Sequence, residues 1–161
     1  MKPITTWLLG SALAFPMLAP TLTYAAETVP CDNPIFYAQT ATHKKEVEIC
    51  LANPSVVYRF GKTGVLDKEM AITVPTSKTS YAYQSNQVIR IQMFTVRNND
   101  TYYQVSAGEN DEGEPFAVLD VYSGHPDTGK RLAEIKLDPE TVVNNISHAL
   151  ADEGIPQSDS L

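Results

Sequence analysis

The side chains of this sequence that could carry chemistry are two cysteines, three histidines, a run of closely spaced carboxylates and several paired tyrosines. Cys31 and Cys50 make up the whole thiol complement. They lack the Cys-x-x-Cys spacing of a redox pair, and no histidine stands beside either at metal-ligand spacing, so the chemistry expected of them is a structural disulfide. Closing the 18 residues between them stabilises a fold by about 3 kcal/mol.

Glu109, Asp111, Glu112 and Glu114 fall within six positions, in a loop marked by Gly108 and Gly113. That density of oxygen ligands raises calcium as a question, and the spacing answers it. A hand-type loop needs ligands at alternate positions, a glycine at the sixth and a bidentate glutamate at the twelfth, which this segment does not supply. The loop reads instead as a solvated run of like charges or as an acidic contact surface for a basic protein.

His43, His125 and His148 are far apart, and none has a partner at ligand spacing. A single ligand does not hold a metal of defined geometry, so surface or packing roles are expected and no metal site is. No Ser-His-Asp or Cys-His grouping can be assembled, because no serine sits in a strained elbow motif and the cysteines are expected to be oxidised. No catalytic residue and no cofactor are expected. Among the tyrosines, strand alternation places Tyr81 and Tyr83 on one face and Tyr102 and Tyr103 on opposite faces. They serve packing, or where exposed act as rigid interface anchors.

The elements that must position these groups begin after an export signal. Lys2 is a positive start, Trp7 to Phe15 an apolar run too short to span a bilayer, and Pro16 and Pro20 break it. Thr23 and Ala25 are the small residues that signal peptidase requires, so residues 1–25 read as a signal peptide and 26–161 as one mature domain. The expected compartment is the bacterial periplasm, with onward secretion open. The full chain carries a formal charge of -7, and loss of the signal, whose only charged side chain is Lys2, makes it one unit more negative. Such a field opposes approach to phosphate backbones and anionic lipid heads and favours a cationic protein, so neither nucleic acid nor membrane is an expected partner.

From Ile35 to Leu137 short strand-like runs alternate with turn clusters, the pattern of an antiparallel sandwich or barrel. The expected strands are Ile35–Ala41, Glu46–Leu51, Val56–Phe60, Met70–Val74, Ser80–Tyr83, Val88–Arg97, Thr101–Ala107, Phe116–Tyr122 and Arg131–Leu137. Asn98-Asn99-Asp100 is the strongest hairpin signal, since Asn tolerates the positive φ that a tight turn requires. At the C-terminal end Asp138 reads as an N-cap, with Pro139 at the first helical position and Glu140 near the positive dipole end. Val142, Val143, Ile146, Ala149 and Leu150 follow at helical spacing, and Gly154 and Pro156 stop the run. An α-helix over about 139–153 is the expectation, with a frayed tail from Gln157 to Leu161.

Lys44-Lys45-Glu46-Val47-Glu48-Ile49-Cys50 followed by Val57-Tyr58-Arg59-Phe60-Gly61-Lys62 resembles a family of small exported proteobacterial β-rich proteins of uncharacterised function. In that pattern a lysine-rich turn leads into a strand ending in cysteine, then into one ending in Tyr-x-Phe-Gly. Tyr102 to Gly108, with a tyrosine six residues and a serine two residues before a glycine, is similar to a motif of periplasmic inhibitors of C-type lysozyme. Those are small antiparallel barrels whose loops block the enzyme's cleft. The resemblance implies partner contacts at Tyr102 and Ser106. Ala107 stands where the inhibitors carry lysine, and Ser123-Gly124 is followed at the motif distance by Asp127 rather than tyrosine. Together these features lead to a small non-enzymatic periplasmic binding protein, either an inhibitor of or immunity protein against a cationic cell-wall-degrading enzyme, or an envelope accessory protein. A hydrolase is the third reading.

Overall fold

Alternating apolar positions become strands wherever two faces of a sheet must differ, and all nine expected strands are present. A computed structural model of the chain describes residues 30–86 and 88–159. The expected signal segment at residues 1–25 and the last two residues of the expected tail lie outside the described residues.

The elements are β1 (Pro34–Gln39), β2 (Lys45–Ala52), β3 (Ser55–Lys62), β4 (Met70–Pro75), β5 (Thr79–Ser85), β6 (Arg90–Asn98), β7 (Thr101–Glu109), β8 (Pro115–Ser123), β9 (Lys130–Lys136) and the short β10 (Val143–Asn144). They form two five-stranded antiparallel sheets, in the orders β10-β1-β2-β3-β4 and β5-β6-β7-β8-β9. The chain is mainly β, and no helix among the described residues is long and apolar enough to cross a membrane.

The inner faces supply one core. Phe36, Val47, Ile49, Val56 and Tyr58 from the first sheet are buried with Tyr81, Phe94, Val96, Val105 and Leu119 from the second. Tyr58 and Tyr103 meet across the sheets with ring centroids 4.8 Å apart, within the range in which tilted aromatic pairs attract. Each apolar residue of Val47, Ile49 and Leu51 faces this core, while Glu46 and Glu48 take the opposite face, as the alternation requires. In the β6–β7 hairpin Asn98 pairs with Thr101 and Asn99 adopts φ 54°, the left-handed conformation that its short amide side chain tolerates.

Cys31 and Cys50 form the expected disulfide, with Cα atoms 5.9 Å apart. It ties the segment before β1 to the end of β2, and a disulfide indicates an oxidising compartment outside the cytoplasm.

The C-terminal α-helix over about 139–153 is absent. Asp138 does cap, its Oδ1 accepting from the Glu140 N–H at 3.0 Å, but the turn it starts is a single 3₁₀ turn over Pro139–Thr141. The chain then extends, and Val143 and Asn144 pair with Tyr37 and Phe36 of β1. A second 3₁₀ turn follows at His148–Ala151. Two causes combine. Val142, Val143 and Ile146 are β-branched and lose χ1 freedom in a helix, and the Asn144-Asn145 pair competes for backbone groups. Against that weak local preference stands β1, whose outer edge β10 satisfies: the Asn145 N–H donates to the Ile35 carbonyl at 2.9 Å and its side chain to the Pro34 carbonyl at 2.8 Å.

The apolar residues of the expected helical stripe still reach the core. Ile146 and Leu150 are buried, together with Ile155, but Val143 and Ala149 point outward. Nor does the tail fray where it is described. The Tyr81 N–H donates to the Pro156 carbonyl and the Ser158 N–H to the Tyr81 carbonyl, so Gln157 bridges Tyr81 in parallel and covers the outer edge of β5.

Candidate functional site

Strands β6 and β7 approach so closely at Gly108 that a Cβ there would lie 1.7 Å from the Arg90 carbonyl oxygen, and only glycine avoids the clash. One residue further, Glu109 ends β7 opposite Pro115, the first residue of β8. Asn110 organises the reversal between them. Its Oδ1 accepts the N–H groups of Glu112 at 3.0 Å and Glu114 at 2.8 Å, while its own N–H donates to the Glu114 carbonyl and its carbonyl accepts from Gly113. An Asn side chain bonding to backbone two residues on mimics a further backbone turn, which pins the loop.

Glu109, Asp111, Glu112 and Glu114 therefore stand exposed on an ordered hairpin tip. Arg90 lies opposite Glu109 in register, yet none of the four carboxylates forms an ion pair among the described residues. Four exposed like charges make the tip a negative patch, and such a patch attracts a cationic surface.

Beside the tip a cleft of about 460 Å³ opens between β5–β8 and the segment from Pro139 to Asn144. Tyr83, Phe116 and Val142 give it apolar walls, and Arg90 and Glu109 are its charged members. Aromatic and aliphatic surface with a carboxylate at the rim suits the stem and charged head of a long basic side chain. The cleft leaves no local mark in the sequence because its walls come from strands distant in the chain. Tyr83 was visible as one of a same-face pair, and Asn110 carried a local signal, an Asn directly before the acidic run.

The expected partner residues do not form one surface. Tyr102 and Glu109 sit seven positions apart on β7, a separation of about 23 Å at the rise of a strand. Ser106, between them, is 6% exposed, with Met93 and Val118 flanking it in register. Tyr102 is half-buried on the outer face of the second sheet, under the Arg97 guanidinium at 5.5 Å from its ring centroid and edge-on to His125 at 5.6 Å.

Each histidine has its own neighbours. His43 Nε2 meets Asp138 Oδ2 at 2.5 Å, and the Asp138 carboxyl is held below its ordinary value by that contact and by the Glu140 N–H. His148 packs edge-on against Tyr81 and Tyr83. Among the described residues, the one grouping with metal-ligand atoms close together is Cys31, Glu48 and Cys50, and its sulfurs are already joined to one another.

A second titratable cluster lies on the outer face of the first sheet. Lys68 Nζ, with its side chain 4% exposed, meets Glu46 Oε1 at 2.5 Å and also donates to the carbonyls of Lys62 and Val65. Tyr37 Oη donates to the other Glu46 oxygen at 2.8 Å. Burial alone raises the Glu46 carboxyl, but the hydrogen bonds from Lys68 and Tyr37 and the lysine's charge outweigh it and hold the group below its ordinary value. The loop after β3 can close down to make this latch because residue 61 is glycine: a Cβ there would lie 2.7 Å from the Glu69 nitrogen.

No family model, curated protein or solved structure matches the chain.

Proposed function

We propose that this chain is a non-enzymatic binding protein of the bacterial periplasm whose acidic hairpin tip engages a basic protein. The leading target is a cationic cell-wall-degrading enzyme, which the chain inhibits or against which it confers immunity. The observation that carries this reading is the tip itself: four exposed carboxylates on a loop pinned by Asn110, without ion-pair partners among the described residues. Charges held ready in this way accelerate encounter with an oppositely charged surface and disfavour like-charged competitors. Net acidity acts in the same direction at longer range, and the cleft beside Glu109 offers apolar surface to the same partner.

The test is a lysis assay with a panel of C-type, goose-type and invertebrate-type lysozymes and phage endolysins, with the purified protein added. Lysis by at least one member should slow, and added salt should weaken the effect. Changing Glu109, Asp111, Glu112 and Glu114 together to Gln or Asn should cut the association rate by about tenfold at low ionic strength, with the melting midpoint unchanged. An inert result across the panel would replace this reading with that of an envelope accessory protein. Turnover of peptidoglycan by the protein itself would replace both with a hydrolase.

A further inference from the structure

At the other end of β7 from the acidic tip, the outer face of the second sheet carries a cavity of about 220 Å³. Two rows of that face build it. Tyr102 and Tyr122 are cross-strand neighbours on β7 and β8, and the adjacent row carries Thr95 opposite Gln104. Over them folds the turn between β8 and β9, anchored by the Gly124 N–H donating to the Asp100 carbonyl at 2.8 Å. This turn sets the His125 ring edge-on to Tyr102 and brings Pro126 and Asp127 into the wall.

The chemistry of the lining narrows what can enter. No lysine or arginine lines the cavity, so a phosphate would find no arginine or lysine head in the wall itself, and the one lining carboxylate, Asp127, is too few for a hard cation. The volume lies below the about 300 to 1,000 Å³ of sites for drug-sized ligands, which suits a ligand of one ring rather than a folded peptide or a long acyl chain. What the wall offers is neutral hydrogen-bonding capacity spread around an apolar patch. Gln104 Nε2 donates to Thr95 Oγ1 at 3.1 Å, and its carbonyl oxygen accepts no hydrogen bond among the described residues. Burial, and after it the nearby charge of Asp120, raises the Tyr122 hydroxyl above its ordinary value, so it stays protonated and can both donate and accept. Met93 and Pro126 supply apolar contact.

We infer that this cavity is a binding site for a single neutral sugar ring, whose hydroxyls the Gln104 carbonyl and the Tyr102 and Tyr122 hydroxyls hold, and whose apolar face lies against Met93 and Pro126. The site is independent of the acidic tip and of the partner proposed for it.

The probes are free glucose, galactose, mannose and N-acetylglucosamine, titrated into the isotopically labelled protein and followed by backbone amide chemical shifts. At least one should give saturable shifts confined to residues around Gln104, Tyr122 and His125, with a dissociation constant in the millimolar range, the order expected for a ligand of about a dozen heavy atoms. Gln104→Leu should weaken that binding tenfold or more. Tyr122→Phe, which keeps the ring and removes only the hydroxyl, gives the same reading should Gln104→Leu fail to fold. Neutralising the four carboxylates of the tip should leave the affinity unchanged. Shifts that are absent for every sugar, that rise linearly without saturation, or that survive both pocket variants would overturn the assignment.

Discussion

Asn144 donates its side-chain amide to Gln92 Oε1 at 2.7 Å, and the Gln92 amide donates in turn to the Ile146 carbonyl at 2.7 Å. One glutamine on β6 thus holds the C-terminal segment in extended form at two points. The Ile146 N–H closes the arrangement by donating to Asn144 Oδ1 at 3.1 Å.

Removing that clasp should loosen the segment without making it helical. Gln92→Leu leaves a half-buried amide and carbonyl without their partner, at a cost of about 2 kcal/mol. Urea unfolding should show the loss, and far-ultraviolet circular dichroism should show no gain of α-helical signal in the variant or the parent.

Leu150 tests whether the same segment contributes to the core. It is 7% exposed, so Leu150→Ala should destabilise by about 2 to 5 kcal/mol. An unchanged melting midpoint would mean that this part of the chain does not pack as described.

The latch between Lys68 and Glu46 has a pH signature. A carboxyl that folding holds below its ordinary value contributes stability that is complete above that value and is lost as pH falls through the lower, folded one. Acid should therefore weaken the protein progressively below pH 4.5, the ordinary value for this glutamate, and Glu46→Gln should flatten that slope in urea titrations. Lys68→Met, which strands a buried carboxylate, should cost about 3 kcal/mol, and adding Glu46→Gln to it should recover part of the loss.

The disulfide should be quantitative in protein isolated from an oxidising compartment. Intact mass should be two hydrogens below the reduced form, and thiol reagents should label neither cysteine without reductant. Replacing both cysteines by serine should lower stability by about 3 kcal/mol.

Much of this architecture was legible along the chain because its causes are local. Alternation in Val47, Ile49 and Leu51 depends on nothing beyond the pleat, and the turn at Asn99 follows from the φ that asparagine tolerates. The disulfide follows from a lone cysteine pair, and the acidic tip is legible as a run of carboxylates with Gly108 before it and Gly113 within it. Asp138 caps as its place before Pro139 predicts, but a cap specifies where a helical turn starts and not how far it continues.

What followed that cap was decided by β1, about a hundred residues earlier, whose unpaired edge gains more from Val143 and Asn144 as a strand than a β-branched, Asn-rich segment gains as a helix. The same holds for both cavities. Tyr83, Phe116 and Val142 come together only when the two sheets close, and His125 reaches Tyr102 only because the Gly124 N–H finds the Asp100 carbonyl. Local sequence set the strands, the turns and the cysteine pair through preferences spanning a few residues. The end of the chain and the walls of the sites were decided by contacts between distant segments, where burial and completed hydrogen bonds outweigh local propensity.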